Sequence, residues 1–140
     1  MIVVDTTVWI DFFNGAGTPE DRHLQQLITV GRSLALTDLI FCEILQGIRE
    51  DAAFEQTRGL LLLYPILRIE RLATFEHSAQ IYRTCRRRGL TVRKTIDCLI
   101  AALCIEEDVE LFHKDADFDA IARVAPLRVY CLPGGRDHHS

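Results

Sequence analysis

Four acids, Asp5, Glu43, Asp97 and Asp115, each stand at the polar edge of a strongly apolar segment. A carboxylate placed there gives up hydration that only a hydrogen-bond partner or a cation replaces, so the fold has to carry these four to a place that supplies one. Asp5 ends the run IVV, which is short, apolar and β-branched throughout, the pattern of a strand buried on both faces of a parallel sheet.

The rest of the chain alternates in the same way. Strands are expected at 1–4, 33–36, 66–69, 109–112 and 128–132, each a brief apolar run bounded by turn residues. Between them lie helical patterns. Pro19 to Val30 repeats Leu24, Leu27 and Ile28 on one face, with Pro19 in the first turn and Gly31 as a stop. Thr37 is placed to cap DLIFCEILQGI, in which Ile40, Glu43, Ile44 and Gly47 share a stripe and Glu43 is its sole acid. Further helices are read at 51–62, at 74–88 with Gly89 closing it, and in IDCLIAALCIEE with Thr95 as its cap and Asp97 in its first turn. Strands separated by helices predict an α/β fold, a parallel sheet with helices on both faces. In such sheets ligands sit beyond the carboxyl ends of the strands, where Asp5 and Asp115 fall. Asp97 reaches that end only if the helices at 74 and 95, which no strand separates, pair antiparallel.

A chain of 140 residues, 49% apolar and 26% charged, suits one domain with a full core, expected over 1–133, followed by a disordered tail GGRDHHS at 134–140. MIVVD has neither the basic start nor the apolar stretch of a secretory signal, and no span is long enough to cross a bilayer. Five widely spaced cysteines (Cys42, Cys85, Cys98, Cys104, Cys131) without C-x-x-C read as reduced core thiols in a cytoplasmic protein. The formal net charge of −4 argues against a nucleic-acid partner until one sees that the four acids alone account for it. Basic charge is concentrated instead: Arg83, Arg86, Arg87, Arg88, Arg93 and Lys94 fall within twelve residues just before Asp97, either a solvated helix face or a patch that tracks phosphates.

Taken singly, the acids exclude several classes. A phosphatase of the haloacid-dehalogenase type wants a second Asp two residues after Asp5, where Thr7 stands, and a response-regulator receiver wants an acidic pair there. The run Asp115, Asp117, Asp119 imitates a calcium loop but offers Ala120 for the required Gly and Pro126 for the closing Glu. Asp115 is the better ligand of that run and Asp117 the second. Thr6 and Thr7 are either turn residues or hydroxyls that position substrate. His113 is more economically structural than a general base, and Trp9, Phe12 and Phe13 read as core and dimer packing.

Two carboxylates ~4 Å apart repel by about 4 kcal/mol at an effective dielectric of 20, so clustered acids either hold protons or bind cations. An oxygen-only donor set selects Mg²⁺, with Mn²⁺ as a substitute, over zinc. That chemistry suits hydrolysis of phosphodiesters by water, which leaves a 5′-phosphate and a 3′-hydroxyl. No nucleophile elbow, P-loop or dinucleotide fingerprint competes with it.

Four pieces in order, MIVVDTTVWIDFF, TDLIFCEILQGI, TVRKTIDCLIAALCIEE and LFHKDADFDAIA, resemble PIN-domain ribonucleases and specifically VapC-type toxins of toxin–antitoxin pairs, over essentially the whole chain. The resemblance implies a three-layer sandwich with a five-stranded parallel sheet, usually as a homodimer. It implies Asp5, Glu43, Asp97 and Asp115 as the catalytic and metal-binding acids with Asp117 a fifth, and Thr6 or Thr7 in the hydroxyl position that follows the first Asp. Arg93 and Lys94 join the threonines as substrate-positioning candidates. It implies cleavage of transfer or other structured RNA, and silencing by a cognate antitoxin in a hetero-oligomer. Two other readings compete: a catalytically silent module of the same fold that binds RNA or a partner, and a metal phosphatase of small esters. Metal-dependent cleavage of RNA separates all three.

Overall fold

The computed structural model describes residues 1–134. The tail expected from residue 134 thus lies, from 135 onward, outside the described residues. Among the described residues twelve elements follow one another: β1 (Ile2–Val4), α1 (Thr6–Phe13), α2 (Pro19–Thr29), β2 (Leu34–Thr37), α3 (Asp38–Gln46), α4 (Asp51–Leu61), β3 (Ile66–Leu67), α5 (Leu72–Arg87), α6 (Thr95–Glu106), β4 (Glu110–Phe112), α7 (Ala116–Ala122) and β5 (Arg128–Val129). All five strands pair in parallel, as the sequence predicts, and the structure gives their order as β3-β2-β1-β4-β5.

β1 is the centre of the sheet. Val3 opposes Ala35 on one side and Leu111 on the other. Successive side chains of a strand point to opposite faces, and Ile2, Val3 and Val4 are all fully buried, so helices cover both faces. The edge strands β3 and β5 have two residues each, shorter than their apolar runs, because each pairs on one side only.

Helix starts follow local chemistry. The Thr18 hydroxyl accepts the Asp21 N–H and leaves Pro19 at the first position of α2, and the Thr37 hydroxyl accepts the Ile40 N–H to begin α3. The expected cap at Thr95 is displaced by one residue. Lys94 is the N-cap of α6 and makes no side-chain capping bond, because Asp117 holds the entering backbone instead. Gly89 (φ 70°) ends α5 in the left-handed region, where a side chain would be strained.

α5 and α6 lie antiparallel. Glu106 in the last turn of α6 accepts from Thr74 Oγ1 (2.6 Å) and meets His77 Nδ1 (3.2 Å) at the start of α5. A tight turn through Asp108, with φ 52°, then leads into β4. The start of α6, with Asp97, consequently returns to the carboxyl ends of β1 and β4. Three of the five cysteines, Cys85, Cys98 and Cys104, are buried and free. Cys42 and Cys131 depart from the expected core placement: Cys42 points away from the Ile40 and Ile44 stripe of α3, and both are exposed. No helix among the described residues is long and apolar enough to cross a membrane.

Candidate metal centre

The order 3-2-1-4-5 reverses direction at β1, so the crevice between the loops after β1 and β4 is the switch point of the sheet. Asp5 stands there as the N-cap of α1, and its N–H donates to the Phe112 carbonyl at the end of β4 (2.9 Å). Asp115 is the N-cap of α7, three residues beyond β4, and accepts the Asp117 N–H (2.9 Å). Asp97 enters from the first turn of α6. Glu43 comes from the middle of α3, half-buried beside the buried Ile44.

Asp97, Asp115 and Asp117 each bring an oxygen into one cluster in which these atoms lie within 4.8 Å of one another. Asp5 and Glu43 flank that trio, Asp5 coupled electrostatically to both Glu43 and Asp97. Both threonine hydroxyls serve the acids: Thr6 Oγ1 donates to Glu43 Oε1 (2.8 Å) and Thr7 Oγ1 to Asp5 Oδ2 (3.0 Å). They orient carboxylates, a role that neither a turn nor a substrate contact implies and that only the fold discloses.

Burial sets the protonation of the group. It pushes Asp5 up to about 6, against the opposing hydrogen bond from Thr7. It pushes Asp97 up to about 8, helped by the charge of Asp5 and the neighbouring Asp117 carboxyl and opposed by Lys94. Asp115 moves the other way: its burial is outweighed by the Asp117 N–H and the Lys94 ammonium, which hold it below the ordinary carboxylate range. Neighbouring carboxylates driven apart in this way mark a candidate functional site.

Asp117 spends both oxygens on backbone. Oδ1 accepts the Arg93 N–H (3.1 Å) and Oδ2 the Lys94 N–H (2.9 Å), so this buried carboxylate shapes the entry to α6. Arg93 and Lys94 are exposed, and with Asp115 and Asp117 they line an open pocket of about 310 Å³. Arg86, Arg87 and Arg88, at the end of α5 that lies beside the start of α6, are exposed as well. His113 is packed beside the cluster: its Nδ1 accepts the Asp115 N–H (3.0 Å), its ring packs on Phe118 and its Nε2 lies 3.6 Å from Asp119. Trp9, Phe12 and Phe13 join Tyr64 in an aromatic cluster.

One observation tests whether these residues fit a metal. Asp97 Oδ2 is buried and has no hydrogen-bond partner among the described residues, although it faces further carboxylates. An acceptor left so inside a cluster of acceptors is matched by a proton or by a cation, and an oxygen-only donor set is of the kind that fits Mg²⁺ or Mn²⁺.

Fold and site together define an α/β domain with an acid cluster at the switch point of a parallel sheet. The profile of the PIN domain matches residues 2–124. Ribonuclease VapC11 of Mycobacterium tuberculosis is 36% identical over 129 residues, covering 91% of this chain and 96% of that relative. VapC ribonuclease Mb1587 of Mycobacterium bovis matches to the same extent, at 36% over 129 residues. Among solved structures, VapBC2 from Rickettsia felis, bound to a DNA fragment from its promoter, shares the fold with a TM-score of 0.72 at 16% identity, covering 93% of this chain and 98% of that chain. The chain belongs to the PIN-domain family and, within it, to the VapC branch.

Proposed function

We propose that the chain is an Mg²⁺-dependent endoribonuclease toxin that cuts transfer or other structured RNA and is held inactive by a cognate antitoxin. The observation that carries this reading is the unpartnered, buried Asp97 Oδ2 inside the acid cluster. Asp5, Asp97, Glu43 and Asp115 would hold the metal, with Asp117 at its edge. When bound, the ion supplies Lewis-acid activation of water and charge neutralisation at the scissile phosphate. The protein's share is orientation: Thr7 fixes the Asp5 carboxylate, Thr6 fixes Glu43, and Asp117 fixes the backbone from which Asp97 projects. The exposed Arg86, Arg87, Arg88 and Arg93 place positive charge along the approach for the RNA backbone.

The relatives named as VapC ribonucleases support the activity, and the VapBC complex supports an antitoxin partner. An apolar groove of about 470 Å³ between α1, α3 and α4, lined by Ile10, Phe13, Ile44 and Ile48, suits an apolar antitoxin segment. The exposed Leu62, Leu63, Leu72 and Phe75 support a homodimer, and five free cysteines support a reducing, cytoplasmic setting.

The test is cleavage of total cellular RNA by purified, antitoxin-free protein. Mg²⁺ or Mn²⁺ should be required, the fragments should carry 5′-phosphates and 3′-hydroxyls, and Asp97→Asn should lose at least about 10²-fold in rate. Binding without cleavage would favour the silent module, and hydrolysis of simple phosphomonoesters alone would favour the phosphatase.

A further inference from the structure

Resting on the metal site proposed above, we propose that Lys94 is a built-in counter-cation: its ammonium group occupies the acid cluster when no divalent ion is bound and is displaced by the ion, so that Lys94 sets the affinity for metal.

The ammonium is placed for this. Lys94 Nζ lies 3.1 Å from Asp115 Oδ2 and 3.9 Å from Asp97 Oδ2, and it is coupled electrostatically to Glu43. It therefore stands over the one buried carboxylate oxygen of the cluster that lacks a hydrogen bond, too far to supply one. Its backbone is pinned while its side chain is not. The Lys94 N–H is fixed by Asp117, whereas the side chain is 46% exposed and reaches the cluster through a four-carbon stem. Such a group leaves by rotating its own bonds, with no change in the fold.

The choice of lysine fits the role. The chain contains fourteen arginines and only two lysines, Lys94 and Lys114. Arginine forms a rigid two-pronged grip on a carboxylate, while an ammonium is a compact, strongly hydrated charge on a flexible stem. The second lysine is used differently, clamped to Asp11 on α1. One positive charge among these acids leaves the cluster short of neutrality, so an ion of twice the charge competes successfully for the same oxygens. The displaced ammonium then lies in the open pocket with Arg93, on the side from which a phosphate would arrive.

The experiment is Mn²⁺ titration of the full chain, reading free Mn²⁺ by electron paramagnetic resonance. Lys94→Met, which keeps the stem and removes the charge, should bind Mn²⁺ on the order of tenfold more tightly than wild type. Lys94→Arg should bind equally or more weakly. A residue that only supports the fold would weaken binding in both variants, and a residue that only touches RNA would leave both unchanged. Either result overturns the proposal. If Lys94→Met does not fold, wild type labelled at lysine Cε with carbon-13 decides instead, because two lysines give two resonances. Mg²⁺ should shift the Lys94 signal well beyond that of Lys114, and equal or absent shifts overturn the proposal. Should wild type bind no Mn²⁺ at all, the metal-site reading itself falls. Should it bind while the Lys94 variants are unaltered, only the counter-cation falls.

Discussion

Replacing Asp97 with Asn should stabilise the metal-free protein at alkaline pH. Burial raises the Asp97 carboxyl from 3.8 to about 8 in the folded state. The folded protein thus binds that proton more tightly than the unfolded chain does. The stability this confers is complete below about pH 4, declines as pH rises and is lost once pH passes about 8. A shift of roughly four units at 1.36 kcal/mol each sets an upper bound of about 6 kcal/mol. Water entering the open pocket and movement of Lys94 screen part of it, leaving about 2 to 3 kcal/mol at pH 8.5 and under about 1 at pH 5. For a domain of this size that corresponds to roughly 6 to 10 °C in Tm. The assay is thermal unfolding of wild type and Asp97→Asn in EDTA across pH 5 to 9. The advantage of the variant should widen up to about pH 8 and then level off. Both proteins should retain a smaller slope that ends near pH 6, from Asp5, whose carboxyl burial raises to about 6. With Mg²⁺ at a hundred times its Kd, wild type alone should gain about 2.7 kcal/mol. An Asp97→Asn protein that is less stable than wild type in EDTA at pH 8.5, or a difference that ignores pH, would refute the reasoning.

Mg²⁺ loading at pH 7 should release close to one proton, chiefly from Asp97, seen by calorimetry in two buffers of different ionisation enthalpy; zero release would contradict a protonated Asp97. Asp117→Ala strips the acceptors from two backbone N–H groups and should cost about 2 to 3 kcal/mol in urea unfolding, weakening Mn²⁺ binding as well, with Asp117→Asn intermediate because it keeps one acceptor. Glu106→Ala leaves the buried Thr74 hydroxyl without its acceptor and releases His77 and Arg71, so it should cost about 1 to 3 kcal/mol. Its Mn²⁺ affinity should be unaltered, because Glu106 sits at the far end of α6 from Asp97.

What the sequence disclosed and what it withheld follow from the range of each interaction. β1 and β4 are legible because a strand buried on both faces must be apolar at every position, and Ile2–Val4 and Leu111–Phe112 are. The helices are legible from their periodicity, and α6 from being apolar nearly all round, as a buried helix is. Thr95 has the local chemistry of a cap for α6, but the bonds that set the start of that helix come from Asp117, more than twenty residues away in sequence. The same distance hid the pairing of Thr6 with Glu43 across 37 positions. Acids at apolar edges announce themselves, since burial of charge is rare. Their division of labour does not, since it depends on which backbone N–H groups and which ammonium the fold delivers to them.

The burial that makes Asp97 costly to ionise is what makes it useful. A carboxylate already hydrogen-bonded on both oxygens, or freely hydrated, gains little from a cation. Asp97 Oδ2 is neither, and its preference for a proton measures how much free energy is available to any positive charge that reaches it. Three occupants compete for that same source on the readings proposed above: a proton, favoured up to about pH 8, the Lys94 ammonium 3.9 Å away, and a divalent ion. The first two also mute the negative field of the site in the metal-free protein. On the function proposed above, an RNA would therefore meet the exposed Arg86, Arg87, Arg88 and Arg93 before it met the acids, and a chain with a net charge of −4 would present positive charge to its phosphates.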